Sequence, residues 1–348
     1  MSDTTRPMSA GGVLALASAV AFGATTPIVQ RFGRGLGPFA TAALLYGGAA
    51  LFSALPRAGR ERAGLRRSDL PRLVVVAALG AVVAPVALAW GLQRTSGVSA
   101  SLLLNLEAVF TVLLARALWS EPIGARAGGA LLAMTAGGGL LVAAAPSSRP
   151  GAGWGALAVI GATLAWAADN AVGRPLADRD PTRVVLAKGA LGAAASAGLA
   201  VAFGEAPPTL RAMEALALCG ALGYGASLSL YLRAQREIGA ARTGSIFAAA
   251  PFVGAALAWA MGQRAAGPAT FAAGALFAAG LWLHLTERHE HVHTHGAVEH
   301  DHAHSHGDRH HDHPHDGSPT GEHSHPHRHE PTTHVHPHGL DIHHRHRH

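Results

Sequence analysis

Ten apolar runs, each near the roughly 20 residues a helix needs to cross a bilayer, follow one another through the first 287 positions with only short polar breaks. They lie near 10–31, 37–56, 72–93, 98–119, 125–145, 153–174, 184–204, 213–234, 240–262 and 267–286, and are numbered here as spans one to ten. In hydrocarbon every backbone N–H and C=O must be satisfied within the protein, so runs of this length form helices. Nothing in them alternates with the period of two that a membrane β-barrel requires. The expected fold class is an all-α membrane protein with ten transmembrane helices. Composition agrees: only 14% of residues are charged, against roughly a quarter in a soluble domain. The apolar mass is Ala, Leu, Val and Gly, the small residues that let helices approach closely in a membrane.

The first run is preceded by only two charges, Asp3 and Arg6, and leads straight into another span, so it reads as an uncleaved helix. One set of loops holds Arg57, Arg60, Arg62, Arg66, Arg67 and Arg72, then Arg126, then Arg174, Arg179 and Arg183, then Arg236 and Arg242. The other set holds fewer: Arg31, Arg34, Arg94, Arg149, Arg211 and Arg264. The positive-inside rule then places both termini in the cytoplasm of a multi-pass protein of the bacterial inner membrane. The Arg31/Arg34 pair is the one loop that runs against this orientation.

Several function classes are excluded. The body has no histidine before His284, its one thiol is Cys219, and Lys188 is the only lysine of the chain. Ser-His-Asp and Cys-His chemistry therefore lack a base, and disulfides and cysteine zinc sites are absent. No glycine cluster has the Walker ending Gly-Lys-Ser/Thr, so the chain is read neither as an enzyme nor as an ATP-driven pump. The arginines sit in short loops without interleaved aromatics, which argues against nucleic acid as a partner. The expected partners are membrane lipid, a small-molecule solute and a second copy of the chain as a homodimer; no cofactor is required.

The two halves echo each other about 143 residues apart. Phe22-Gly23-Ala24-Thr25-Thr26-Pro27 lies over Trp166-Ala167-Ala168-Asp169-Asn170-Ala171, and Gln93-Arg94 with Gly97 lies over Gln235-Arg236 with Gly239. Val109-Phe110 to Trp119-Ser120-Glu121 lies over Phe252-Val253 to Gly262-Gln263. Five spans per half is odd, so the second copy enters the membrane from the opposite side, the inverted repeat from which many secondary transporters build alternating access. The expected division is a five-helix repeat over 1–146, a second over 147–287, and a tail over 288–348.

Span four reads Leu102-Leu103-Leu104-Asn105-Leu106-Glu107-Ala108-Val109-Phe110-Thr111 and ends on Trp119-Ser120-Glu121. It resembles the EamA-type motif of the drug/metabolite transporter superfamily, a Leu-Glu-Pro followed by a Gly-Glu at the helix end. Ser245-Ile246-Phe247-Ala248-Ala249-Ala250-Pro251-Phe252 is similar to the same motif in the second half. Ala108 stands where the family often has Pro, which removes the source of a helix kink, and Gln263-Arg264 stands where the second copy often keeps Glu. The resemblance covers residues 10–286 and implies a ten-helix carrier of small organic solutes with a central cavity.

Ionisable residues within the hydrocarbon are functional candidates by default. Glu107 lies well inside span four, where a carboxylate must find a partner, a wet cavity or a proton, as a proton-coupling group does. Asp169 and Asn170 lie on span six, and Lys188 lies at comparable depth on span seven, able to pair with Asp169. Thr25 and Thr26, the repeat partners of Asp169 and Asn170, complete a set expected to face the cavity, with Trp166 as a stacking surface beside Trp90, Tyr46 and Tyr231. Pro27 and Pro251 remove backbone donors within spans and are hinge candidates. The Gly137–Gly139, Gly189/Gly192 and Gly220/Gly223/Gly225 clusters are read as packing.

The tail is a separate chemical object: 23 of the 24 histidines lie at or beyond His289. They alternate with other residues, as His289, His291, His293 and His295, then His300, His302, His304 and His306, and again at His323–His327 and His334–His338. In an extended chain residues two apart share a side, and neutral imidazole suits Zn²⁺, Ni²⁺ or Co²⁺. The composition cannot form a core, so the tail is expected to be disordered without metal and to bind metal through many overlapping sets. Three functions compete: a secondary exporter of a small organic metabolite or drug, proton-coupled; a divalent-metal transporter with a collecting or sensing tail; and a membrane-tethered metal reservoir without transport.

Overall fold

A computed structural model of the chain describes residues 10–55, 64–119, 123–145, 151–263, 267–286, 290–295, 298–304, 323–329 and 332–337. Among the described residues, nine helices are long and apolar enough to cross a membrane: Ala10–Phe32, Arg67–Leu92, Gly97–Leu118, Ala125–Ala143, Gly153–Leu176, Pro181–Ala202, Leu210–Gln235, Arg242–Ala260 and Pro268–Leu285. Span two, Pro38–Ala54, has 17 residues and so measures about 25 Å along its axis. Every expected span is therefore a helix, with its ends displaced by a few residues.

The repeat is carried by irregularities. Span three widens into a π-helical segment at Ala78–Val83, and span eight does so at Ala221–Ala226, 143 residues on at both ends. Span four is interrupted at Leu104–Asn105, between Gly97–Leu103 and Leu106–Trp119. Span nine is interrupted at Ala248–Ala249, between Ala240–Phe247 and Ala250–Ala260. Packing follows the same twofold. Span one lies against span eight as span six lies against span three, span two against span eight as span seven against span three, and spans two and seven, four and nine, and five and ten pair with each other.

The two interruptions have different causes. Pro251, the second residue of Ala250–Ala260, has no N–H to give to the carbonyl four residues back. Span four has Ala108 at the corresponding place, and the expectation that it would run unkinked is overturned. Asn105 stands in for proline: its Nδ2 and its backbone N–H both donate to the Leu102 carbonyl, at 2.9 and 3.1 Å, tightening the chain into a short i→i+3 turn. Span one is also interrupted, at Ala24, three residues before Pro27.

One close approach depends on glycine. A Cβ on Gly220 would lie 1.9 Å from the Leu45 carbonyl oxygen, so spans two and eight touch through backbone. Beyond Leu285 the described segments are strands β1 (Glu290–His295), β2 (Val298–His304), β3 (His323–His329) and β4 (Thr332–Pro337), with β1 antiparallel to β4 and β2 to β3. Two-stranded ribbons are marginal alone in water, so they add local pairing to the tail and leave the all-α membrane body as the folded unit.

Candidate solute-binding site

The site is built around the carbonyl of Gly80. In the π-helical register the Ala84 N–H donates to the Leu79 carbonyl, five residues back. The next donor in that register would be residue 85, which is Pro85, so the Gly80 oxygen has no partner within its helix. Two side chains from other spans supply one: the Tyr46 hydroxyl of span two and the Trp166 Nε1–H of span six, the latter at 3.1 Å. Both rings are buried.

Gly80 is also the seat of an ion pair. The Lys188 ammonium of span seven donates to Asp169 of span six, as the shared depth of the two residues suggested. A Cβ on residue 80 would lie 2.1 Å from the Asp169 Oδ2 and 2.6 Å from the Lys188 Nζ, so only glycine fits beneath the pair. Next to Asp169 in sequence, Asn170 donates through Nδ2 to the Glu107 Oε1 at 2.9 Å. Glu107 is the second residue of the segment that follows the break in span four, where a helix N-terminus favours negative charge. Glu107 is half-buried and Asn170 is exposed.

Thr25 and Thr26 are buried but do not join this group. The Thr25 hydroxyl donates to the Phe22 carbonyl at 2.6 Å, and its methyl group lies over Gly223. Gly223 is the repeat counterpart of Gly80, so Thr25 covers in one half the position that Asp169 covers in the other. The expectation that the two polar clusters face each other is replaced by an indirect link: Tyr224, beside Gly223, stacks on Tyr46 at 5.4 Å between ring centroids. From Tyr224 an aromatic wall continues through Phe22 (5.8 Å) and Phe247 (5.4 Å) to Tyr231 (5.1 Å). Trp90 instead lies under the Arg94 guanidinium, 3.7 Å from its ring.

Sequence reading missed Tyr224, the π-helical segments, Asn105 as a break and the contacts that tie connections together on the two faces. On the face opposite the N-terminus, Gln30 Nε2 donates to the Leu92 and Thr95 carbonyls at 2.9 and 2.7 Å, and Gln93 Nε2 donates to Leu36 at 2.8 Å. There Glu205, between spans seven and eight, accepts from the Phe39 and Ala40 N–H groups at the start of span two, at 3.1 and 2.7 Å. On the N-terminal face Asp69, at the start of span three, accepts from Arg179 Nε and Nη2, between spans six and seven, at 2.8 and 3.3 Å. The two carboxylates are thus latches at twofold-related connections on opposite faces.

Spans four and nine also differ between faces. Their halves on the far face, Gly97–Leu103 and Ala250–Ala260, pack along each other. Their halves on the N-terminal face, Leu106–Trp119 and Ala240–Phe247, do not, and Glu107 and Phe247 sit where they part. The spans thus diverge as a V towards the N-terminal face, with Glu107 and Phe247 beside the breaks from which they diverge.

Among the described residues no three His, Cys, Asp or Glu side chains are placed to hold a metal ion. Of the expected metal ligands, His291, His293 and His295 lie on β1 and His300, His302 and His304 on β2, whereas His289 and His306 lie outside the described residues, as do Ser120, Glu121 and Arg264.

Comparison with known proteins bears on this arrangement. The profile of the EamA-like transporter family matches twice, over residues 9–143 and 153–286. An uncharacterized transporter of Methanothermobacter thermautotrophicus is 28% identical over 214 residues, 60% of this chain and 62% of that protein, so the likeness spans less than two thirds of the relative. A protein of known crystal structure is 18% identical, with a TM-score of 0.54 over 80% of this chain and 97% of that one, a likeness of fold alone.

Proposed function

This chain belongs to the EamA-like transporter family, is a transporter and not an enzyme, and on that premise we propose that it is a secondary carrier of a small organic metabolite or drug. The V formed by spans four and nine, open on one face with Glu107 at its apex, is the observation that carries this reading. Both spans break next to the apex, so their halves on either face can part in turn while spans two, five, seven and ten hold the frame. Pro27 and Pro251 are the hinges in spans one and nine, and Asn105 serves span four.

The site is polar on the side of spans three, four, six and seven and aromatic on the side of spans one, eight and nine. It suits a solute with a hydrogen-bonding or charged head and a flat apolar body. Glu107 binds the head and exchanges a proton, Asn170 holds its carboxyl, and the Asp169–Lys188 pair with Trp166 fixes the floor. The arginine distribution supports cytoplasmic termini in an inner membrane, an orientation in which the open face is cytoplasmic, and we read the chain as an exporter driven by proton entry. A divalent metal as cargo has less support, because Glu107 is bonded to an amide and Asp169 to Lys188.

Proteoliposomes test this. Protein with Glu107→Gln should lose pH-gradient-driven uptake of a solute such as a flat organic cation yet retain counterflow exchange. Gradient-driven uptake at the rate of the unaltered protein would remove Glu107 from coupling. A carrier whose only flux is Zn²⁺ or Ni²⁺ would overturn the organic-solute reading.

A further inference from the structure

Among the described residues, four buried side-chain oxygens have no hydrogen-bond partner: Gln30 Oε1, Ser101 Oγ, Gln263 Oε1 and Ser196 Oγ. Ser196 stands apart on span seven. The other three lie in one seam, where the far-face halves of spans one, four and nine meet: Thr25–Phe32, Gly97–Leu103 and Ala250–Ala260 with the Gln263 that follows it. Gln30 is 7% exposed and Ser101 is fully buried. A buried polar atom without a partner has lost its hydration and gained no bond in return, so three of them in one seam call for a cause.

The seam is seated on two glycines. A Cβ on residue 97, the first of span four, would overlap the Gln263 Oε1 and lie 2.6 Å from the Gln30 Oε1, so the two oxygens meet over bare backbone. Gln30 cannot turn its oxygen away, because its Nε2 is held by the Leu92 and Thr95 carbonyls. Ser101 lies one turn further in on the same side of span four. A Cβ on Gly254 of span nine would lie 2.9 Å from the Ser101 Oγ and 2.7 Å from the Gly23 carbonyl oxygen of span one. Pro27, four residues after Gly23, has no N–H to give to that carbonyl. Two pairs of oxygens therefore lead from the far surface towards the break in span four. None of the four is charged, and only Ser101 has a proton to give.

We propose, resting on the carrier reading above, that these oxygens form the release site for an organic cation whose head carries several N–H groups, an ammonium or a guanidinium. When spans four and nine part on the far face, Gln30, Gln263, Ser101 and the Gly23 carbonyl accept the N–H groups of a head that has left Glu107. A guanidinium, with five N–H donors and no acceptor, is the complement of such a set. Hydrogen bonds to neutral oxygens are weaker than those to a carboxylate. The head thus passes from a charged site to an uncharged one, from which it can leave. The solute of the carrier is thereby narrowed to a cation rich in N–H donors.

Ser101→Ala with Gln263→Leu in the full-length protein is the test, since neither oxygen has a partner to lose. In detergent the double variant should unfold at a midpoint about 2 °C or more above that of the unaltered protein, because two unpaired oxygens are gone. In proteoliposomes sorted by orientation, its KM for benzylguanidinium entering from the far face should rise about tenfold, while the KM from the N-terminal face stays within about twofold. Benzyltrimethylammonium, a cation without N–H groups, should show no change from either face. Greater stability with weaker far-face binding is a combination that a merely structural role does not produce. A lower midpoint would mean that ordered water or a turned Gln263 amide already satisfies the seam, and would overturn the release site, as would far-face KM values equal to those of the unaltered protein. If the unaltered protein carries neither cation but exchanges a neutral or anionic organic solute, the cation assignment fails and the carrier reading stands; if it carries nothing, both fail.

Discussion

The shared carbonyl of Gly80 gives a measurable coupling between two residues that are distant in sequence. Tyr46→Phe removes one of its two donors and costs about 1 kcal/mol, the net worth of a typical hydrogen bond, because Trp166 still satisfies the oxygen. Trp166→Phe removes the other donor and also leaves a gap of roughly 40 Å³, which at about 24 cal/mol per Å³ adds roughly 1 kcal/mol. The cavity contribution appears in both legs of a double-mutant cycle and cancels. What does not cancel is the orphaned carbonyl: with both donors gone and Pro85 unable to supply one, a buried oxygen pays desolvation of about 1–3 kcal/mol. The double variant should therefore be about 1–2 kcal/mol less stable than the sum of the single changes, in an unfolding titration from mixed micelles into SDS. Pro85→Ala returns an N–H at the position that the π-helical register aims at Gly80, and should recover most of that excess in the double variant while changing the unaltered protein little. Additivity within about 0.5 kcal/mol, or no rescue by Pro85→Ala, would refute the account of the freed carbonyl.

Other outcomes follow from the same geometry. Asp169→Asn or Lys188→Met alone should each cost about 3 kcal/mol by leaving a buried partner uncompensated, whereas Asp169→Leu with Lys188→Met together should cost less than either, as read in the same micelle titration. Gly220→Ala forces spans two and eight apart, since the new methyl group meets the Leu45 carbonyl at 1.9 Å, and should destabilise by about 1–3 kcal/mol. Glu205→Ala removes two charge-assisted bonds on the far face, so a cysteine at Ser101 should react with an impermeant maleimide from that face about tenfold faster, the factor that about 1.4 kcal/mol supplies. Arg179→Ala, on the other face, should not raise that rate.

The ten spans were legible because hydrocarbon enforces length and apolarity, and both are written residue by residue. The Asp169–Lys188 pair was legible for the same reason: few charges lie at that depth, and a hairpin brings them level. The breaks were half legible. Proline announces the one in span nine, but Asn105 makes its own with a side-chain bond to Leu102 that composition does not display. The π-helical segments were not legible at all, since the i, i+5 spacing of Gly80 and Pro85 acquires meaning only once Tyr46 and Trp166 arrive from other spans. Tyr224 was overlooked because the sequence gives no sign that it stacks on Tyr46 across the repeats.

The two copies share their mechanics and differ in their chemistry. Both have a π-helical segment at the same place, both have a broken fourth helix, and both place a glycine beneath a residue from the other half. Asp169 over Gly80 is answered by Thr25 over Gly223, and Glu107, second after its break, is answered by Pro251, second after the other. Every charge of the site therefore belongs to one copy of the pattern, and the aromatic rings gather at the other. An inverted repeat needs equivalent hinges, because each face must open as the other closes; it has no need of equivalent ligands, because the solute occupies one place throughout. In the proposed carrier, charge confined to one side gives the solute a single orientation, and the bond from Asn170 to Glu107 is the one that solute or proton would replace.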